Sequence, residues 1–278
     1  MKINLFDDNF SFTLEKLGYI TASDTRKPTR FAWVPKQMEF PGITVFTDFY
    51  SDSDLIDKVK TDIKILWLVE PIAIHPFAYE NAIKNEHKFD FILTYNTDLL
   101  KRDKNKYKLA VIGSSRIDDN DAKIYPKTKK ISMIASNKSM TEGHRLRHEI
   151  YNIYGEEYQI DMYGSGYKPF TNRLDPFKDY QYSICVMNSA EPFFFTEVII
   201  DAFRTGTYPI IWGCRELHRF FNEKGFFEFY DLSTLKHLLN GVKNHGNEIY
   251  YGALPAIRQN LLISSNYVST EDSLLRFI

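Results

Sequence analysis

Short apolar runs alternate along the chain with segments of helical periodicity. Apolar runs bounded by turn residues indicate buried parallel strands, and apolar positions three and four residues apart indicate helices. The predicted strands are Ile3–Phe6, Ile43–Phe46, Ile63–Val69, Phe89–Thr94, Leu109–Ile112, Lys130–Ser136, Ile160–Gly164, Tyr182–Met187, Pro209–Trp212 and Phe226–Phe229. The predicted helices are Phe10–Ile20, Asp52–Lys60, His75–Glu86, His144–Tyr154, Val198–Phe203, Glu216–Asn222, Leu232–Leu239, Ile249–Asn266 and Ser269–Ile278. This alternation predicts an α/β protein.

The segment Tyr180–Gly213 contains the clearest supersecondary unit. An apolar run leads into Asn188-Ser189, an aromatic loop, Thr196-Glu197, an amphipathic stretch, a Thr-Gly-Thr turn and a second apolar run. This order predicts a βαβ unit, which places the helix N-terminus and the carboxyl ends of the strands at one edge. Open α/β sheets bind ligands at that edge, and the exposed N–H groups of the helix favour an anion. Glu197, near the helix start, suits sugar hydroxyls better than phosphate.

The same segment resembles the signature of the α-1,3-fucosyltransferases, which form glycosyltransferase family 10. Their pattern is E-N-[ST], an aromatic loop, T-E-K, a helix, a small-residue turn and P-I-x-x-G. The matching residues are Asn188, Ser189, Thr196, Glu197, Pro209, Ile210 and Gly213. Two positions depart from the pattern: Met187 replaces a Glu, and Val198 replaces the Lys that binds the donor pyrophosphate in the family. The departure at Val198 leaves the choice of donor open.

The resemblance implies a GT-B-like fold, in which two Rossmann-like domains face each other across a cleft. We expect an N-terminal acceptor-side domain over residues 1–125 and a C-terminal nucleotide-sugar-binding domain over residues 126–260. A C-terminal helix over residues 261–278 would cross back to the N-terminal domain. The charged stretch Asp118–Lys130 is interpreted as the linker between the two domains.

The reaction implied by the resemblance is inverting, metal-independent transfer of a sugar, fucose from GDP-fucose, to a hydroxyl of a glycan or lipopolysaccharide-type acceptor. No cofactor is implied beyond this donor substrate. The D-x-D match Asp52-Ser53-Asp54 lies at a predicted helix start and is interpreted as a cap, so no metal ligands are assigned. Two alternatives remain: a GT-B transferase that uses another nucleotide sugar, and a catalytically inactive protein that binds sugar nucleotides or glycans.

The donor site is expected to require a cation for the leaving diphosphate and polar groups for the nucleotide. Arg145, which the resemblance matches to the diphosphate arginine of the family, is the first candidate. Arg147 is the alternative, and with Val198 in place of Lys both arginines are expected to contribute. A solvated helix surface is the competing interpretation for this pair. The other expected donor-binding residues are Ser136, Asn137, Tyr163, Gly164, Asn188, Phe194 and Glu197.

Glu70 is the candidate general base. It follows the apolar run Ile63–Val69 and precedes Pro71, so it lies at the carboxyl end of a predicted strand, where the family places a catalytic Glu in its N-terminal domain. A simple loop anchor is the competing interpretation. His75 is the rival base, because an imidazole titrates near neutral pH.

Composition limits the partners and the compartment. The 278 residues are 44% hydrophobic and 26% charged with a formal net charge of -1, which is ordinary for a globular protein and gives no global field that attracts nucleic acid. The two cysteines have no metal-ligand spacing and favour a reducing compartment. We find no signal peptide and no membrane-spanning run. The resemblance is therefore to the soluble bacterial or viral members, a cytoplasmic location is expected, and the composition leaves room for peripheral membrane contact.

Overall fold

The structure is a computed structural model that describes residues 1–8, 14–15, 17–20 and 26–277. The chain forms two compact units. Unit 1 comprises Met1–Ser114 together with Ser269–Ile278, and unit 2 comprises Ser115–Val268. Each unit is described by itself.

Unit 1 is built on a parallel sheet with strands in the order β2-β1-β3-β4-β5-β6. The strands are β1 (Lys2–Phe6), β2 (Ala32–Pro35), β3 (Ile43–Thr47), β4 (Ile63–Trp67), β5 (Phe91–Thr94) and β6 (Tyr107–Leu109). The helices are α1 (Leu55–Lys58), α2 (Pro76–Lys84) and α3 (Thr97–Arg102), joined by 3₁₀ turns at Asp48–Tyr50, Glu86–Lys88 and Glu271–Arg276. The order reverses direction between β1 and β3, which makes that point the topological switch of the sheet.

Unit 2 is built on a second parallel sheet with strands in the order β11-β10-β9-β7-β8. Its strands are β7 (Lys129–Ile134), β8 (Ile160–Tyr163), β9 (Tyr180–Val186), β10 (Tyr208–Trp212) and β11 (Phe227–Glu228). Its helices are α4 (Glu142–Tyr154), α5 (Glu197–Arg204), α6 (Leu232–Gly252) and α7 (Leu254–Ser264), with 3₁₀ turns at Asp119–Asp121, Leu217–Arg219, Glu223–Gly225 and Ser265–Tyr267. The switch point lies between β7 and β9.

Central strands are buried on both faces, which explains why they are mostly apolar rather than alternating between apolar and polar residues. All five residues of β3 and all seven of β9 are buried. In unit 1 the side chains of neighbouring residues belong to different clusters: Val45 packs in one with Trp67, and Phe46 packs in the other with Leu66. The C-terminal Leu274 joins the Val45 cluster. The prediction of an α/β protein with parallel sheets is confirmed.

Several predicted elements differ from the structure. The sequence predicts a loop over Arg26–Phe40, but this segment contains β2, an edge strand that ends at Pro35, where the missing N–H is tolerated. The predicted strand Leu109–Ile112 is wrong, because β6 ends at Leu109. The predicted helix Phe10–Ile20 lies largely outside the described residues.

The C-terminal helices also begin and end at other residues than predicted. Helix α6 runs from Leu232 to Gly252 through a kink at His245, well beyond the predicted end at Leu239. The predicted helix Ile249–Asn266 is divided, and α7 begins at Leu254 with Pro255 in its first turn. Proline is tolerated there because the first-turn N–H groups have no partner in the helix. The sequence predicts helices over Glu216–Asn222 and Ser269–Ile278, but the residues that the structure describes there form 3₁₀ turns, at Leu217–Arg219 and Glu271–Arg276.

Candidate active site

The switch point of unit 2 brings several predicted donor residues to one edge of the sheet. Ser136 and Asn137 follow β7, and Asn188 follows β9. Because β7 connects through α4 to β8 while β9 connects through α5 to β10, the two loops diverge and leave a crevice at the carboxyl edge. This is the position at which a doubly wound sheet binds its ligand.

Helix α4 begins unusually close to the end of β9. The Gly143 N–H donates to the Asn188 carbonyl at 3.2 Å, and a Cβ on Gly143 would lie 1.8 Å from the Met187 carbonyl oxygen. Thr141 caps the helix by accepting from the His144 N–H, and His144 Nδ1 lies 2.8 Å from Thr141 Oγ1. Burial and the neighbouring cations lower the pKa of His144 to about 4, so the imidazole is neutral at neutral pH. Sequence reasoning missed this close contact.

Arg147 reaches from α4 to the end of β9. Its guanidinium donates to the Val186 carbonyl, from Nε at 3.0 Å, and to Asn188 Oδ1 at 2.8 Å. Burial lowers the pKa of Arg147, and the negative charge of Glu197 partly offsets that effect. The structure therefore places Arg147, Asn188 and the Glu197 charge in one electrostatic environment.

Glu197 is the first residue of α5 and carries a side chain that is 23% exposed. Its Oε1 lies 3.3 Å from Arg173 NH2 and 4.0 Å from Arg116 NH2. Burial raises the pKa of the Glu197 carboxyl, but the charges of Arg173 and Arg116 outweigh it, and the pKa falls below its usual value. Glu197 is thus held as a carboxylate, the form that accepts hydrogen bonds from sugar hydroxyls.

Asp201 is the buried anchor of this region. It lies one helical turn after Glu197 and is 0% exposed. Its Oδ1 accepts from Ser115 Oγ at 2.8 Å and from the Arg116 N–H at 2.9 Å, and its Oδ2 accepts from Arg173 Nε at 2.8 Å. Burial raises the pKa of Asp201, whereas the Arg173 charge and the bonds from Arg173 and Ser115 oppose the rise. Arg173 therefore links two carboxylates on the same face of α5.

Sequence reasoning missed Arg173, Arg116 and Asp201. The i, i+4 spacing of Glu197 and Asp201 is visible in the sequence and places both on one helix face. Arg173, however, lies in the loop between β8 and β9, and Arg116 precedes the first strand of unit 2. No local pattern connects either residue to α5, because the contact depends on the tertiary fold.

The remaining predicted donor residues have different surroundings. Arg145 is exposed, and its NH1 donates to the carbonyls of Ser139 and Met140 at 3.2 and 3.3 Å. Ser136 is half-buried and Asn137 is exposed at the end of the β7 loop. Arg145 thus lies along the loop that follows Ser136 and Asn137, rather than with Arg147 and Asn188.

Two of the predicted residues are buried in the core. Tyr163 is 2% exposed, and its hydroxyl lies 2.8 Å from the Tyr180 hydroxyl. Phe194 is also 2% exposed. Gly164 has φ +119°, and a Cβ there would lie 1.9 Å from the Ala135 carbonyl oxygen, so it permits the β8 turn to pack against the end of β7. These surroundings give Tyr163 and Gly164 a role in shaping the edge of the sheet.

Glu70 lies at the carboxyl edge of the unit 1 sheet, beyond β4. Its N–H and that of Val69 donate to the Asp48 carboxylate at 3.2 and 2.9 Å, and its carbonyl accepts from the Tyr79 hydroxyl at 2.9 Å. The Tyr95 hydroxyl donates to the Val69 carbonyl at 3.1 Å. The backbone that carries Glu70 is therefore fixed by three side chains, while the Glu70 residue itself is half-buried.

Asp48 belongs to a group of carboxylates at the ends of neighbouring strands. Asp7 follows β1, Asp48 follows β3 and Glu70 follows β4. Burial raises the pKa of Asp48 to about 8, the bonds from Glu70 and Val69 lower it, and the charges of Glu70 and Asp7 raise it. Thr47 donates to Asp7 from the end of β3. Within unit 1 the switch point is therefore acidic and densely hydrogen-bonded.

Across the described part of the chain, no group of three or more His, Cys, Asp or Glu residues has the geometry of a metal site. Over the same residues, no helix combines the length and the apolar character that a membrane span requires.

Comparisons with known proteins bear on the fold and the family. The family model for the C-terminal domain of glycosyltransferase family 10 (fucosyltransferase) matches residues 124–251. A crystal structure of an alpha1,3-fucosyltransferase is similar over 100% of this chain and 88% of its own, with TM-score 0.58 and 16% identity. The structure of such an enzyme with GDP-fucose has TM-score 0.56 and 14% identity, with coverage of 100% and 89%. TarM gives TM-score 0.57 at 11% identity, over 98% of this chain and 58% of its own.

A search of curated proteins finds no match. The structural similarities lie at low identity and support the GT-B fold. The family match covers α4, the strand β9 that Asn188 follows, and α5, which begins at Glu197. On these grounds the chain is a glycosyltransferase whose residues 124–251 match the C-terminal domain of glycosyltransferase family 10.

Proposed function

We propose that this protein transfers fucose from GDP-fucose to a hydroxyl group of a glycan, with inversion at the anomeric carbon and without a metal ion. The observation that carries the proposal is the hydrogen bond from Arg147 to Asn188 at the switch point of unit 2, within the electrostatic influence of an ionised Glu197 at the start of α5. The relative solved with GDP-fucose supports this choice of donor. A cytoplasmic location stays a prediction.

The donor would bind at the carboxyl edge of the unit 2 sheet. Glu197 would accept from hydroxyls of the nucleotide sugar, and the two arginines of α4 would meet the charge of the diphosphate. Asn188, held by Arg147 at 2.8 Å, would fix the loop after β9. Ser136, Asn137 and the Gly164 turn would close the adjacent part of the edge, with Tyr163 and Phe194 packed beneath.

The chemical step requires a base for the acceptor hydroxyl. We propose that Glu70 takes that proton while the acceptor oxygen forms a bond to the anomeric carbon. The bond from that carbon to the diphosphate oxygen breaks, and GDP leaves with the electron pair. The Glu70 N–H donates to Asp48 and the Glu70 carbonyl accepts from the Tyr79 hydroxyl, and these bonds would hold the backbone that carries the carboxylate. His75 remains the rival base.

Calorimetric titration with GDP, GDP-fucose, UDP and CMP, in buffer containing EDTA, tests the donor assignment. We expect GDP and GDP-fucose to bind in preference to UDP and CMP. A preference for UDP or CMP would leave the fold assignment intact and show that the donor is another nucleotide sugar. This outcome is worth testing because Val198 replaces the lysine that binds the donor pyrophosphate in the family. If none of the four binds, the non-catalytic binding protein becomes the better interpretation.

Paired variants test the residues. Arg145→Gln should weaken GDP binding with little loss of stability, because Arg145 is exposed. Arg147→Gln should reduce both GDP binding and stability, because the Arg147 guanidinium also donates to the Val186 carbonyl. Glu70→Ala should bind GDP like the parent and lose transfer, whereas His75→Ala should keep measurable transfer because Glu70 remains as the base. Full transfer by Glu70→Ala would disprove the assignment of the base, and unchanged GDP binding by both arginine variants would disprove the diphosphate site.

A further inference from the structure

Three aromatic side chains form a partly exposed cluster in unit 1. The rings of Phe49 and His75 have centroids 4.5 Å apart, those of His75 and Phe77 are 5.3 Å apart, and those of Phe49 and Phe77 are 5.8 Å apart. Phe49 is 47% exposed and Phe77 is 41% exposed. Of the phenylalanines within the described ranges, only these two are exposed. We call Phe49, His75 and Phe77 the aromatic platform.

The platform lies at the same sheet edge as Glu70. Phe49 directly follows Asp48, whose carboxylate accepts the Glu70 N–H at 3.2 Å. His75 and Phe77 begin α2, which follows the segment that starts at Glu70. The His75 N–H donates to the Pro71 carbonyl at 3.1 Å, so the loop between Glu70 and the platform is ordered by its own hydrogen bond. The platform and Glu70 therefore share one backbone framework.

The chemistry of the platform suits the apolar face of a sugar ring. Aromatic faces carry partial negative charge, and the axial C–H groups of a pyranose carry partial positive charge. Burial lowers the pKa of His75, which leaves a neutral ring at neutral pH. Aromatic stacking combined with a nearby carboxylate is the arrangement that a neutral polyol requires.

The size of the platform selects its occupant. A stable protein–protein interface needs about 20–30 residues a side, which these three side chains do not approach. A single pyranose ring covers about the area of one or two aromatic side chains. The platform is thus large enough for one sugar and too small to hold a second copy of the chain by itself.

We propose that the aromatic platform is the acceptor subsite, on which a pyranose ring stacks with a hydroxyl directed to Glu70. This inference rests on the proposed function, because it assumes that the carbohydrate bound in unit 1 is the acceptor. It assigns Phe49 and Phe77 as acceptor-binding residues and the acceptor as a glycan with one apolar sugar face.

Saturation-transfer NMR with methyl β-D-galactopyranoside and with N-acetyl-D-glucosamine, on the full chain without donor, tests the subsite independently of the donor. We expect at least one of these sugars to bind the parent. Phe49→Ala and Phe77→Ala should each weaken its binding about tenfold, which corresponds to the loss of one apolar stacking contact. Phe77→Trp, which keeps an aromatic ring, should bind within about twofold of the parent. The matched control is Tyr251→Ala, since Tyr251 is an aromatic residue on α6 that is 57% exposed.

The possible results separate this inference from the proposed function. If GDP binds but neither sugar does, or if both alanine variants bind sugar like the parent, the platform is not the acceptor subsite. If sugar binding depends on the platform and GDP does not bind, the subsite stands and the donor assignment fails. Sedimentation that shows a dimer in the parent and a monomer in Phe49→Ser would assign the platform to a second copy and overturn the proposal. Unchanged thermal unfolding of the variants would show that loss of binding is local.

Discussion

Replacing Arg173 tests whether the charge network at the start of α5 holds the candidate donor site together. In Arg173→Met, the bonds to Asp201 Oδ2 at 2.8 Å and to Glu197 Oε1 at 3.3 Å are both lost. The side chain of Arg173 is only 13% exposed and that of Asp201 is 0% exposed, so water replaces little of this interaction. Removing one partner of a buried ion pair costs about 3–5 kcal/mol. Asp201 keeps its bonds from Ser115 and the Arg116 N–H, which places the expected loss near 3 kcal/mol.

The assay is urea unfolding of the parent, Arg173→Met, Asp201→Asn and the double variant at pH 7. In Asp201→Asn, the amide oxygen of the new side chain would still accept from Ser115 and Arg116, while the buried charge disappears. If the cost of Arg173→Met arises from an unpaired buried carboxylate, the double variant should be more stable than Arg173→Met alone. A loss below about 1 kcal/mol for Arg173→Met, or a double variant less stable than both single variants, would refute this reasoning.

Three other predictions follow from contacts in the structure. Gly143→Ala should destabilise unit 2 by about 2 kcal/mol and weaken GDP binding, because its Cβ would lie 1.8 Å from a carbonyl oxygen. The control in the same urea assay is Gly241→Ala, a helical position with nothing within 4 Å of the new Cβ, which should be neutral or stabilising. The pKa of Asp48 is raised from 3.8 to about 8, so between these pH values the folded state holds a proton that the unfolded state has released. The free energy of unfolding should therefore fall as pH rises from about 4 to 8. Urea unfolding across that range should show a smaller change of this free energy with pH for Asp48→Asn than for the parent. Val198→Lys should bind GDP more tightly than the parent at low salt in calorimetry and lose that advantage at high salt; equal affinity at low salt would exclude residue 198 from the diphosphate site.

The parts of the fold that the sequence predicts are those with a local cause. Strands buried on both faces are mostly apolar, so β4 and β9 are visible as apolar runs, interrupted by Lys64 in β4 and by Gln181 and Ser183 in β9. The edge strand β2 is not visible as an apolar run, because its residues Ala32 and Pro35 are exposed and the surrounding sequence is rich in charged and proline residues. The break between α6 and α7 near Pro255 also has a local cause. Whether a proline there kinks one continuous helix or lies at the start of a new one depends on the preceding turn at Ala253.

The same distinction applies to the candidate site. Glu197 and Asn188 are recognisable because one βαβ unit fixes both at a sheet edge. Arg173 is not recognisable, since its role depends on a loop that meets α5 only after the sheet has formed. The burial of Tyr163 and Phe194 is likewise invisible in the sequence, because an aromatic residue next to a strand end has the same pattern whether it lines a ligand or the core.

The charge balance at the start of α5 implies that the diphosphate of the proposed donor would need cations from another helix. When both carboxylates are ionised, Glu197 and Asp201 carry two negative charges, and Arg173 and Arg116 carry two positive ones. Val198 adds none, so this group has no net positive charge with which to hold a diphosphate. The N-terminal dipole of α5 contributes only about half an elementary charge. Helix α4 carries two cations: Arg147, which bonds Asn188, and Arg145, which lies along the loop after β7. A chain without a lysine after Glu197 should therefore depend on both arginines, and the GDP affinity of Arg145→Gln should be rescued in part by Val198→Lys in the same calorimetric assay.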